Sequence, residues 1–141
     1  MKYSPRNIII FFIGWVLFRQ FVKFCLVGFT NLLIDFLVYW LLTRALGLFY
    51  IIAAILSFLV AVTWSFFINR HWTFRHFTGN IRRQYVKFFL ANLASLVLNL
   101  AIFYALVDWG GLNDLLAKLL VAVIVAFFNF GLNRFWTFNQ A

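Results

Sequence analysis

Apolar positions along this chain gather into long runs, and four of them are long enough to cross a bilayer: residues 24–43, 48–68, 88–107 and 115–132. A hydrocarbon core of roughly 30 Å takes about 20 helical residues. Helix is the required form, because strands of this chain could not close a barrel and satisfy their backbone groups. A tight turn around 44–47 joins the first pair, and Asp108-Trp-Gly-Gly-Leu-Asn-Asp114 joins the second. A longer polar loop, 70–87, separates the pairs. The expected fold is all-α integral membrane with four transmembrane helices.

The run 8–18 is different. Its 11 apolar residues are too few to span, and Arg19 and Lys23 close it. Ser4-Pro5 reads as an N-cap followed by proline at the first helical position. Residues 1–18 are therefore expected as a short helix lying in or dipping into the cytoplasmic leaflet, ahead of a transmembrane domain at 19–141. No small-residue cleavage site follows the run, so it does not read as a signal peptide.

Composition points the same way. The chain is 66% hydrophobic with only 11% charged residues, far too little charge to cover a soluble domain of 141 residues. Its net charge of +9 would suggest nucleic acid on a soluble protein. Here the cations cluster at the ends of apolar runs, so anionic membrane lipid is the expected partner and nucleic acid is not. Lys2, Arg6, Arg19, Lys23, Arg70, Arg75, Arg82, Arg83, Lys87 and Arg134 fall on one side, with no acid among them. Arg44 and Lys118 fall on the other, against Asp108 and Asp114. That bias places both termini in the cytoplasm of a multi-pass inner-membrane protein. The lone Cys25 excludes an intramolecular disulfide.

Sliding the chain against itself by 64 residues aligns its halves without a gap. Arg19-Gln-Phe-Val-Lys-Phe24 falls on Arg83-Gln-Tyr-Val-Lys-Phe88, and Asn69-Arg-His-Trp-Thr-Phe74 on Asn133-Arg-Phe-Trp-Thr-Phe138. Two polar hexads matching at one offset are specific in a way that apolar identities are not. Repeat one covers 19–74 and repeat two 83–138. Each has two helices, so both enter from the same side, as parallel repeats about an axis along the membrane normal.

Asp35 is the most informative single residue. It sits 12 residues beyond Lys23, hence about 18 Å deep. A carboxylate there costs roughly 2.5–3.5 kcal/mol on insertion scales and normally faces a bundle interior. Its helical face includes Gln20, Phe24, Gly28 and Asn31, and the repeat mate of that face carries Gln84, Phe88, Asn92, Ser95 and Asn99. This stripe reads either as a polar path or protonatable switch between the repeats, or as an interhelical hydrogen bond such as Asp35 to Asn99. The even helices add Ser65 with Asn69, and Asn129 with Asn133, each pair four residues apart. The row Ala53, Ser57, Ala61 and Ser65 allows close helix approach and mostly reads as packing.

The hexads end the even helices at the cytoplasmic interface. Arg70 and Arg134 suit bidentate bonds to phosphate, and Trp72 and Trp136 suit anchoring at headgroup depth. The odd helices present their N-termini on the same face with Arg19, Lys23, Arg83 and Lys87. Free N–H groups beside cations make that the better anion site. Ordinary topology signalling accounts for interfacial Arg and Trp equally well. His71 and His76 lack a third ligand, and no nucleophile–base pair, phosphate-cradling loop or metal motif is visible. The chain reads as a non-enzyme that needs no cofactor.

Phe24-Cys-Leu-Val-Gly28, Asn31, Asp35 and the two Asn-Arg-x-Trp-Thr-Phe copies closely resemble the GtrA-like family, over about residues 20–138. The resemblance implies a small four-helix membrane protein of cell-surface polysaccharide synthesis. Such a protein moves a polyprenyl-phosphate-linked sugar from the cytoplasmic to the outer leaflet beside a partner membrane glycosyltransferase. His71 and Phe135 occupy the variable position, and residues 8–18 lie outside the pattern. Gly28 and Asp35 become Asn92 and Asn99 in the second repeat, so any acid-dependent step is confined to one half.

Two other readings stand beside transport. One is a non-transporting subunit that anchors or orients the glycosyltransferase. The other is a small multidrug-type exporter, against which the strong charge bias argues. Four helices barely enclose a sugar path, so a parallel homo-oligomer is expected, most simply a dimer through the Ala53–Ser65 row. Topology is directly testable: in a Cys25→Ser background, single cysteines at Thr78 and Gly111 should label from the cytoplasm and the outside respectively. Labelling of both from one side would refute four spans.

Overall fold

The computed structural model describes residues 5–139; Lys2 and Ser4, assigned above to the basic side and to a helix cap, lie outside them. All regular structure among these residues is helical. In the first hairpin, α1 (Pro5–Trp40) and α2 (Tyr50–Ile68) run into wide five-residue π turns at Leu41–Ala45 and Asn69–Thr73. In the second, α3 (Ile81–Tyr104) and α4 (Asp114–Leu132) do the same at Ala105–Trp109 and Asn133–Thr137. Met1–Arg75 and His76–Ala141 form separate compact units, one hairpin each.

Each of the four helices is long and apolar enough to cross a membrane. The single proline, Pro5, opens α1, so no helix interior is broken by one. Large apolar side chains stay exposed along every helix, from Ile8 and Phe11 on α1 to Val123 and Phe127 on α4. Helices apolar on every face are suited to lipid.

The run 8–18 does not form a helix of its own. It is the opening of α1, which with its π turn extends 41 residues, Pro5–Ala45. That is about 60 Å of helix, twice the thickness of a hydrocarbon core. Arg19 and Lys23 therefore interrupt the hydropathy without interrupting the helix. Nothing at this point caps or breaks it, and Lys and Arg are good helix formers.

Both hairpins reverse on a glycine in the left-handed region. Gly47 has φ +63° and Gly111 φ +62°, at equivalent repeat positions. The amide of Leu48 donates to the Leu42 carbonyl and that of Leu112 to the Leu106 carbonyl, both at 3.0 Å. The same turn is thus built twice. A Cβ at either glycine would meet no atom within 4 Å, so the cost of a side chain is the dihedral alone.

The row Ala53, Ser57, Ala61 and Ser65 is 0–7% exposed, where α2 packs along α1. Small residues let the helices approach, as expected, but the row is already covered within this chain. It is not an exposed surface for a second copy, and the argument for a dimer through it does not hold. Trp64 Nε1 donates to Thr30 Oγ1 across the same hairpin at 3.4 Å. Gly47→Ala and Gly111→Ala should each destabilise the protein by about 1–2 kcal/mol, read as denaturant-induced unfolding in detergent. A neutral result at both would remove the turn's conformational demand.

Candidate functional site

The two duplicated hexads pack on one another. In the first hairpin Lys23 Nζ lies 5.1 Å from the centroid of the Trp72 ring, and Phe24 meets Phe74 at 6.2 Å. In the second, Lys87 Nζ lies 5.5 Å from Trp136, and Phe88 meets Phe138 at 6.1 Å. Lys87 Nζ also donates to the Trp136 carbonyl at 3.1 Å. A cation at the C-terminal end of a helix opposes the negative end of its dipole. The end of each even helix is so tied to the preceding odd one, at the middle of α1 in the first hairpin and near the start of α3 in the second. Phe74 and Phe138 are fully buried.

The interlock refines what each hexad residue does. Trp72 and Trp136 remain over two-fifths exposed, as headgroup anchors need, but each also holds a lysine. The asparagines turn inward: Asn69 and Asn133 are 1% and 0% exposed. Asn69 Nδ2 donates to Ser65 Oγ at 3.2 Å, and Asn133 Nδ2 donates to Asn129 Oδ1 at 2.7 Å. The pairs expected from the four-residue spacing are therefore in contact. The amides of Phe74 and Phe138 close the π turns on the Asn69 and Asn133 carbonyls.

The six cations proposed for phosphate stand in different surroundings. Arg19 is exposed on α1, and Arg70 is half-buried on its π turn. Arg134 lies against two rings, its Cζ 5.3 Å from Phe77 and 5.6 Å from Phe135. Arg83 and Lys87 do converge, on an open cavity of about 220 Å³ that Arg134 does not line. The turn Thr78-Gly79-Asn80 forms one wall of it, and Gln84 and Thr137 form part of another.

The helix-start amides differ from expectation in both hairpins. Arg19 and Lys23 stand well inside α1, where the backbone N–H groups are held by the helix itself. On α3, Asn80 is the N-cap, and its Oδ1 accepts from the amides of Arg82 at 3.0 Å and Arg83 at 3.2 Å. A capping asparagine takes the donors an anion would use. Side chains must therefore carry anion binding at this end. Gln84 reads in the sequence as part of the polar stripe and not as part of an anion site; Thr137 and Asn80 were not singled out there, although Thr137 sits within a duplicated hexad and Gly79-Asn80 is a turn and cap signal.

Along the helices, the polar stripe contains buried atoms that accept or donate no hydrogen bond. They are Asn31 Oδ1, Asp35 Oδ1 and Asn69 Oδ1 in the first hairpin, and Gln84 Oε1, Ser95 Oγ and Asn133 Oδ1 in the second. Asn92 Nδ2 instead bonds locally to the Phe88 carbonyl at 2.8 Å, and Asn99 is half-buried on α3. His71 is held locally too, its Nδ1 2.8 Å from the Phe67 carbonyl. Among the described residues no three His, Cys, Asp or Glu side chains come together.

Four membrane-crossing helices in two hairpins, each locked at its basic end by the same two motifs, define a multi-pass membrane protein of duplicated-hairpin type. The chain belongs to the GtrA/DPMS transmembrane domain family, which it matches over residues 23–138. It is 33% identical over 119 residues to the uncharacterized membrane protein YngA of Bacillus subtilis, covering 84% of this chain and 79% of that one. It is also 27% and 26% identical to the cell wall teichoic acid glycosylation proteins GtcA of Listeria innocua and Listeria monocytogenes. Each of those matches covers 79% of both chains.

The interlock predicts a measurable coupling. A double-mutant cycle with Lys87→Met and Trp136→Leu, read by unfolding in detergent, should give about 0.5–2 kcal/mol. Lys23→Met with Trp72→Leu should give a similar value. Additivity in both cycles would reduce these pairs to neighbours without interaction.

Proposed function

We propose that this protein serves the glycosylation of a cell-surface polymer, by passing a polyprenyl-phosphate-linked sugar from the cytoplasmic to the outer leaflet. The observation that carries this reading is the series of buried polar atoms lacking hydrogen bonds along each hairpin, from Gln84 and Asn133 to Asp35 and Ser95. In hydrocarbon each such group costs several kcal/mol. An anchor has no use for them. A hydroxyl-rich sugar offers donors to the carbonyl oxygens and carboxylate, and its passage satisfies them in turn. The exposed Phe and Leu side chains give the prenyl tail a lipid-like flank.

The family and the teichoic acid glycosylation proteins among the relatives support the class of process. The basic ends of the hairpins face the cytoplasm in this reading, where a membrane glycosyltransferase supplies the lipid-linked sugar. Phosphate is held at that face by the basic cluster, and Asp35 guides the sugar at depth.

Asp35 separates transport from anchoring. Asp35→Asn keeps shape and hydrogen bonding and removes charge; it should leave insertion and partner association intact while abolishing outer-leaflet delivery. Asp35→Leu should also abolish delivery. The assay is appearance of lipid-linked sugar in the outer leaflet of vesicles containing the transferase. Normal delivery by both folded variants would leave the anchoring role in its place.

A further inference from the structure

We infer that the two copies of the duplicated motif have parted in role: the cavity on the Thr78-Gly79-Asn80 turn of the second hairpin binds a glycosyl phosphate head, while the first copy serves to lock its hairpin. The inference rests on the reading of this protein as a handler of lipid-linked sugars, and it names the part of the chain that holds the head group.

The asymmetry starts in the backbone. Shifted by 64 residues, Thr78, Gly79 and Asn80 fall on Gly14, Trp15 and Val16. Those three lie inside α1, which passes through without reversing. In the second hairpin the chain turns there, with Gly79 at φ +154°. A Cβ on Gly79 would stand 2.9 Å from Gln84 Nε2. The φ at this wall of the cavity is one that favours glycine, and the first hairpin has tryptophan in a helix at the matching place.

The lining chemistry specifies the ligand. Arg83 and Lys87 supply two cations, and no acid lines the cavity. Lys87 spends one donor on the Trp136 carbonyl, which leaves two of the three an ammonium carries. Beside them Gln84 is 5% exposed and Thr137 1%, with Gln84 Oε1 and Thr137 Oγ1 buried and without hydrogen bonds. The cations fit a phosphate. Gln84 Oε1 only accepts, so it needs a donor that a fully deprotonated anion lacks. A sugar hydroxyl next to the phosphate meets both demands, and Thr137 Oγ1 can bond to either group. At about 220 Å³, the space falls below the roughly 300 Å³ at which drug-sized pockets begin. It suits a head group and leaves the tail in lipid.

The test uses the full chain in phosphatidylcholine nanodiscs, titrated calorimetrically with hexose 1-phosphate and with inorganic sulfate. Wild type should prefer the hexose 1-phosphate. Arg83→Ala should weaken it about tenfold, the loss of one charge-assisted bond, and Arg19→Ala less than about twofold. Gln84→Leu and Thr137→Val should erase the preference over sulfate, whereas Gln20→Leu and Thr73→Val should keep it. Should Gln84→Leu fail to fold, Gly79→Ala presses on the same side chain from outside and should weaken binding with both cations intact. Equal losses from Arg19→Ala and Arg83→Ala overturn the inference, as does wild type that binds neither probe. Nanodiscs containing phosphatidylglycerol distinguish an ordinary lipid headgroup: full displacement of hexose 1-phosphate by that lipid also overturns it. Vesicle translocation is read separately. Binding without translocation sinks the transport reading and leaves the pocket standing; translocation without head-group binding sinks the pocket alone.

Discussion

Lys23 over Trp72 and Lys87 over Trp136, with Phe24 against Phe74 and Phe88 against Phe138 behind them, hold each hairpin at its basic end. In lipid there is little hydrophobic drive for two apolar helices to pair, so polar and close-packed contacts must do it. A cation against an aromatic face gains strength as water is withdrawn, and a buried phenylalanine pair adds contact area. Once these ends are joined, Asn69 and Asn133 are drawn inside, and the basic residues of neighbouring helices come to one end.

The same closure creates the polar character of the interior. Each hexad asparagine gives its Nδ2 hydrogens to a partner one turn back, on Ser65 or Asn129. Its Oδ1 is then left buried without a donor. Further along the hairpins Asp35, Asn31 and Ser95 repeat that condition. Stability alone would favour apolar side chains at such places, since an unsatisfied buried group is costly. Their presence is what the proposed route for a lipid-linked sugar rests on.

The two hairpins share the same turns and the same lock but set one motif in different surroundings. Gly47 and Gly111 reverse the chain with nearly equal φ. At the basic end the copies diverge, because α1 continues through Gly14-Trp15-Val16 while α3 begins at a capped turn. One hexad is therefore set in the middle of a helix and the other at a helix start beside a cavity.

Membrane class, four crossings, the charge bias and the repeat were all legible in the sequence. Hydrophobic length and charge counts are additive along a chain, and a shared offset of 64 residues needs no coordinates to be seen. The asparagine pairs were legible too, because four residues bring two side chains onto one helical face. The continuity of α1 was not: Arg19 and Lys23 look like the end of a segment in hydropathy, yet they are good helix formers and nothing there caps the helix. Nor were the lysine–tryptophan locks or the cavity of Arg83, Gln84, Lys87 and Thr137 legible, because their members lie some fifty residues apart in sequence. Which cations line the cavity and which lysine meets which tryptophan depend on distances of about 3–6 Å between helices, and only the tertiary structure decides those.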